Sequence, residues 1–303
     1  MNIIIRKCTC RLAMLVEVKP VTFEQPKATS SSYAFVWPLA FGTLIVLMAL
    51  WGWREGLTRL LLEIGICASL ISCAVYGVFL TVLRKEDRYL SMKLCLFGGL
   101  LSCALAFVIN WFIFNVAERL ISNGSVILLL CAFNEEVLKL LSLLALIKLT
   151  HVLPLTQKSF RVIIDSPRLL IIAGVSVGFG FSIIENFLYF FVNAASLGTK
   201  SQTQQEGVAT ETLILRNVLL GHEIYTGIAA CVVGKDFYIK SKKVSVTVFL
   251  KSVLVPGSLH YFHNLSQSLG GAISGYMAWT CILGFYLLGI AILIKGYREV
   301  KDT

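Results

Sequence analysis

Apolar stretches separated by short polar segments recur along the whole chain. About eight of them are long enough to cross a bilayer core of roughly 30 Å as a helix. They lie near positions 33–52, 59–83, 93–116, 124–149, 168–194, 211–233, 247–269 and 272–295. The pattern predicts an all-α membrane protein with about eight transmembrane helices. Four consecutive stretches, the fourth to the seventh, are interrupted by polar groups. The interruptions are Asn134-Glu135-Glu136 with Lys139, Glu185-Asn186, His222-Glu223, and His260 with His263 and Asn264. Each ionisable group at a helix centre costs about 2.5–3.5 kcal/mol on insertion scales. Such groups persist in a span only when paired, hydrated or functional.

The same pattern divides the chain into four parts. Residues 1–32 form a cytoplasmic N-terminal segment with no apolar run that reads as a cleaved signal peptide. Residues 33–120 hold helices 1–3, almost free of internal charge, and read as a scaffold. Residues 121–270 form a four-helix intramembrane catalytic core, and 271–303 hold the last helix and a cytoplasmic tail. The polar loop near 195–210 is placed outside the membrane, where it could flank an entrance, and no internal repeat is visible.

Composition agrees with the membrane assignment: 57% of the 303 residues are hydrophobic and only 15% charged, against about 25% charged in soluble domains. The net charge of +10 raises the question of nucleic acid, but its distribution answers it. With the N-terminus inside, about 20 Lys and Arg fall in inner segments and 4 (Arg54, Arg59, Arg119, Lys200) in outer loops. That asymmetry is the positive-inside signature of a multi-pass protein with both termini cytoplasmic, with anionic lipid headgroups rather than nucleic acid as the partner. Seven of the nine cysteines fall within apolar spans and read as small buried hydrophobes. Cys8 and Cys10 alone are a weak metal signal.

Topology brings the polar clusters to one depth. Counting about 9–11 residues from the outer helix ends at 1.5 Å per residue puts Glu135, Glu185, His222 and His260 about 14–17 Å below the outer surface. Glu136 and Lys139 are three apart, Glu135 and Lys139 four apart, so Lys139 can reach either carboxylate. Phe181 shares a face with Glu185, and His260 with Asn264. Gly174-x-x-x-Gly178 permits close helix approach. The three charges of the fourth helix cost about 7.5–10 kcal/mol against a return of about 5–9 from its apolar residues, so this span needs neighbours to satisfy it.

Several of these groups also have plain structural readings. Glu136 with Lys139 could be an ion pair that locks helices together. His151 falls in a cytoplasmic loop and reads as solvated. Glu223 faces about 100° away from His222 and could pair with Arg216. His263 lies one turn from His260 and competes for its role.

In these motifs the chain resembles the PrsW family of intramembrane proteases, related to the CAAX-processing and bacteriocin-immunity protease superfamily. The carrying residues are Glu135-Glu136-Val137-Leu138-Lys139, then Phe181-Ser182-Ile183-Ile184-Glu185-Asn186 behind Gly178 and Gly180. Gly221-His222 with Gly227 follows, then His260-Tyr261-Phe262-His263-Asn264 behind Pro256. The likeness covers about 130–265. It departs from the family pattern at Leu169-Leu170, where Asp-Gly is usual, and at Asn264, where Asp is frequent.

The resemblance implies cleavage of a peptide bond in a membrane-embedded protein near the outer face, in a plasma membrane. Amide hydrolysis needs a base for water, oxyanion stabilisation and an acid for the leaving amine. Glu135 is assigned as base, with Glu136 and Lys139 orienting it. His222 and His260 bind water or metal and protonate the leaving group, and Asn264 donates to the oxyanion. Glu185 is a metal ligand or second acid. His222, His260 and Glu185 match the His₂Glu set of catalytic zinc sites, and a metal-free glutamate mechanism uses the same residues. Two other readings stand beside this one. Intramembrane Glu, Lys and His also build proton- or ion-coupled transporters, and a non-catalytic member of the same fold would bind a membrane partner. The substrate's identity and the oligomeric state are not written in the sequence.

Overall fold

The computed structural model describes residues 59–120, 123–152, 164, 166–197, 221–241, 244–268 and 275–301. The expected segment 1–32, the first expected span 33–52, the Cys8/Cys10 pair and Arg216 lie outside these residues, as does all but the start of the loop near 195–210. The described residues are almost all helical, and none of them is in a strand. In chain order they form α1 (Arg59–Val82), α2 (Lys85–Lys93), α3 (Gly99–Leu120), α4 (Gly124–Val152), α5 (Pro167–Leu197), α6 (Gly221–Gly234), α7 (Val246–Ser268) and α8 (Gly275–Lys301). A π-helical turn, Leu94–Gly98, joins α2 to α3, and a second, Lys235–Ser241, extends α6. α4 runs on through His151, which therefore sits in a helical last turn rather than in a loop.

Among the described residues, three helical segments are long and apolar enough to cross a membrane: Asp87–Val116, Pro167–Asn186 and Thr280–Val300. Their burial ranks them. The α5 segment is 78% buried inside the protein and the α8 segment 17%, so α5 is central and α8 peripheral. α5 packs on α6, α3, α1 and the Leu94–Gly98 turn, while α4 lies between α3 and α7. Large apolar side chains that face outward, such as Val108, Trp111 and Phe112 on α3 and Leu287 and Leu288 on α8, suit a lipid environment. In lipid, close packing rather than water exclusion holds helices together.

Two glycine crossings allow that packing. A Cβ on Gly178 of α5 would lie 2.6 Å from the His222 carbonyl oxygen and 2.6 Å from the Glu223 Cα of α6. Gly174, one turn away, meets the Thr226 carbonyl in the same manner, 2.7 Å from a built Cβ. The expected small-residue seam is thus the α5–α6 contact, and it seats His222. On the other face of α5, Gly180 crosses Gly99 and the Cys95 carbonyl with no room for a side chain, which draws α3 inward.

The main apolar core comprises Leu140, Leu143 and Ile147 of α4, Leu170, Ala173 and Val177 of α5, Ala229, Ala230 and Val233 of α6, and Val248 and Val253 of α7. On α4 and α6 these follow the polar cluster in sequence; on α5 and α7 they precede it. Alternating helix direction therefore stacks the apolar layer on one side of the polar residues. The six cysteines Cys73, Cys95, Cys103, Cys131, Cys231 and Cys281 are free, and four of them are buried.

Candidate active site

The polar clusters of α4, α5, α6 and α7 converge on one buried site. Glu135 and Glu136 are 6% and 0% exposed, Lys139 0% and His260 3%. Helical spacing brings Lys139 Nζ within 2.5 Å of Glu136 Oε1, three residues back, inside a fully buried pair. The same Nζ lies 2.9 Å from His222 Nδ1 and 4.6 Å from the Phe181 ring centroid. Lys139 thus ties α4 to α5 and α6.

The two histidines are oriented by carboxylates. His260 Nδ1 is 2.9 Å from Glu136 Oε1, and its Nε2 faces Glu135 Oε2 at 3.6 Å. An ammonium group carries only donors, so His222 Nδ1 accepts from Lys139. His222 Nε2 then carries the ring proton and donates to Glu185 Oε2, 2.8 Å away. By the same reasoning His260 Nδ1 donates to Glu136 and Nε2 keeps its lone pair. The imidazole rings meet edge to face at 4.9 Å, with Phe181 at 5.0 Å from the His222 ring and Tyr225 stacked 5.6 Å from the His260 ring. α7 delivers His260 one turn after Pro256, which lacks a backbone N–H and leaves one helix carbonyl without its usual donor.

Three groups, Glu135, His222 and His260, bring ligand atoms within 4.8 Å of one another. One oxygen and two ring nitrogens are the donor set of catalytic zinc sites. Glu135 Oε2 is buried and has no hydrogen-bond partner among the described residues, as a ligand atom awaiting a cation or a proton would be. The site therefore fits a metal ion. The carboxylate in this trio is Glu135, while Glu185, expected from sequence as a metal ligand or second acid, lies with Oε2 2.8 Å from His222 Nε2.

The remaining predicted residues fall at the margins. Asn264 is partly buried one turn beyond His260, and no side-chain hydrogen bond joins it to another described residue. His263 turns toward Tyr225 Oη (3.5 Å) and Gln267 (2.8 Å). Glu223 diverges from His222 and lines an apolar cavity with Val75, Phe79, Phe179 and Leu293. One residue at the site escaped the sequence reading. Asn110 of α3 donates from Nδ2 to Glu135 Oε1 at 2.8 Å, and Asn134 donates to Asn110 Oδ1 at 2.8 Å. Its only signal was an amide, one of two with Asn115, in a largely apolar span.

No curated protein and no solved structure matches the chain. The family model described as PrsW family intramembrane metalloprotease matches residues 86–294. That stretch is well over half of the chain and contains every residue of the buried site, and the protein belongs to the PrsW family.

Proposed function

We propose that the protein is an intramembrane endopeptidase that hydrolyses a peptide bond of a membrane-embedded protein substrate. The observation that carries this is the convergence of Glu135, His222 and His260, with Glu135 Oε2 buried and unpartnered. We read the chain as crossing a plasma membrane about eight times, both termini cytoplasmic, with α4–α7 as the catalytic core near the outer face. Membership of a family of intramembrane metalloproteases supports the reaction class.

Glu135, His222 and His260 would hold a zinc ion. When bound, zinc would polarise a water molecule and the scissile carbonyl. Glu136 accepts from His260 Nδ1, which fixes the ring with Nε2 toward the site. Lys139 neutralises Glu136 and holds His222 Nδ1. The His222 Nε2 proton, held against Glu185, would be released to solvent on zinc binding, and the Glu185 carboxylate would then be placed to receive a proton from water and pass it to the leaving amine. Asn264, one turn beyond His260, donates to the developing oxyanion. Phe181 and Tyr225 wall the histidines with aromatic rings and limit water.

A metal-free variant of this chemistry is supported by one feature, the 3.6 Å approach of His260 Nε2 to Glu135 Oε2. In that variant Oε2 of Glu135 is itself the base and His260 the acid.

The test is reconstitution of the detergent-purified protein in liposomes with a library of single-span transmembrane peptides, cleavage being read by mass spectrometry and zinc by elemental analysis. Cleavage that disappears in Glu135→Gln and His260→Ala, with zinc bound in proportion to protein, is the expected result. Identical peptide patterns from wild type and both variants would sink the protease reading. Ion flux into the liposomes that Glu135→Gln abolishes would instead support a transporter.

A further inference from the structure

We infer that Asn110 is a positioning residue for Glu135, and that Asn134 holds Asn110 in the orientation this requires. The inference rests on Glu135 being a reacting group at the site described above. It adds α3, a helix that contributes none of the family-like motifs, to the machinery that sets up the reaction.

The hydrogen-bond chemistry determines the arrangement at each end. An ionised carboxylate only accepts, so the Asn110 atom 2.8 Å from Glu135 Oε1 is its NH₂. The carbonyl end of Asn110 then faces the other way and needs a donor. The Asn134 NH₂ supplies it at 2.8 Å. An amide whose two ends are so engaged has one sensible orientation. Asn134 precedes Glu135 by one residue and points about 100° round the helix from it. It cannot brace its neighbour directly, but does so through the facing helix.

The consequence lies in the carboxylate. The two oxygens of a free glutamate are equivalent and exchange by rotation about the last side-chain torsion. A donor on Oε1 makes them inequivalent. Oε1 is occupied, while Oε2 stays without a partner and faces His260 Nε2. Asn110 thereby selects which oxygen is available to a cation or a proton. A part-buried amide network that served only to join α3 to α4 would act on stability alone. It would leave metal affinity and kcat untouched.

The experiment uses the full-length protein in detergent, with zinc affinity measured by chelator competition and cleavage measured on one transmembrane peptide from the library. Asn110→Ala is expected to weaken zinc binding by about 10–100-fold, the usual effect of losing a partner behind a metal ligand, and to lower kcat similarly with KM little changed. Asn134→Ala is expected to act in the same direction and less strongly. The double variant is expected to be no worse than Asn110→Ala alone, because Asn134 works only through Asn110. Wild-type zinc affinity and kcat in Asn110→Ala, at any melting temperature, would overturn the inference, as would losses that multiply in the double variant. Should Asn110→Ala not fold, Asn134→Ala carries the test, and unchanged zinc affinity there is equally fatal. Loss of zinc and cleavage in Glu135→Gln with neither Asn variant affected overturns this inference alone. A wild type that neither binds zinc nor cleaves overturns the protease reading with it.

Discussion

His260 bridges two consecutive glutamates of α4: its Nδ1 lies 2.9 Å from Glu136 Oε1, and its Nε2 faces Glu135 Oε2 at 3.6 Å. Successive residues on a helix diverge by about 100°, so one imidazole set between them senses both. Glu136 orients the ring and Glu135 faces its reactive edge. Glu136→Gln replaces a full charge on Nδ1 by a neutral amide. It is expected to weaken zinc binding about 10–100-fold in a protein that still folds, as checked by chelator competition beside a thermal melt.

Lys139 and Glu136 are each completely buried and 2.5 Å apart. Removing one partner leaves an uncompensated charge, at a cost of about 3–5 kcal/mol, whereas replacing both is often near neutral. Lys139→Met is expected to destabilise by that amount in detergent denaturation, and Glu136→Gln with Lys139→Met to recover most of it. A single variant as stable as the double would show that the pair contributes nothing.

Glu185 and His260 separate proton handling from metal holding. Glu185→Gln is expected to retain zinc, because the Glu135, His222 and His260 ligand atoms remain. Its cleavage rate is expected to fall about 10²–10⁴-fold, the usual contribution of a general base. His260→Ala is expected to lose both. Zinc content and turnover measured on the same preparations decide this, and zinc lost from Glu185→Gln would return Glu185 to the ligand set.

Gly178 sets the distance between α5 and α6. A methyl there would strike the His222 carbonyl oxygen and the Glu223 Cα, each 2.6 Å away, and both belong to backbone that cannot yield. Gly178→Ala is expected to cost about 1–3 kcal/mol and to reduce cleavage by displacing His222. Gly77→Ala, where a Cβ meets nothing within 4 Å, is expected to leave both unchanged. Melting temperature and cleavage rate compared between the two variants provide the check.

Much of the site was legible because a bilayer penalises charge. Glu135, Glu136, Lys139, Glu185, His222 and His260 each stand out in an apolar helix, and the seam Gly174-x-x-x-Gly178 announced a close helix contact. Alternating helix direction then predicted that the clusters would meet, and in the structure they do. The divergence of His222 and Glu223 also followed from helical geometry alone: the first meets His260 and the second lines an apolar cavity.

The sequence by itself determined which residues had to find partners, since period and burial cost are local properties of each helix. Only the tertiary structure decided which partner each one found. A carboxylate, an ammonium and an imidazole can pair in several ways at similar energy, and the choice depends on the rotation and spacing of whole helices. Hence Glu185 meets His222 Nε2, Glu136 holds His260 Nδ1, and Asn110, an amide with no motif around it, reaches Glu135 from a helix that read as scaffold.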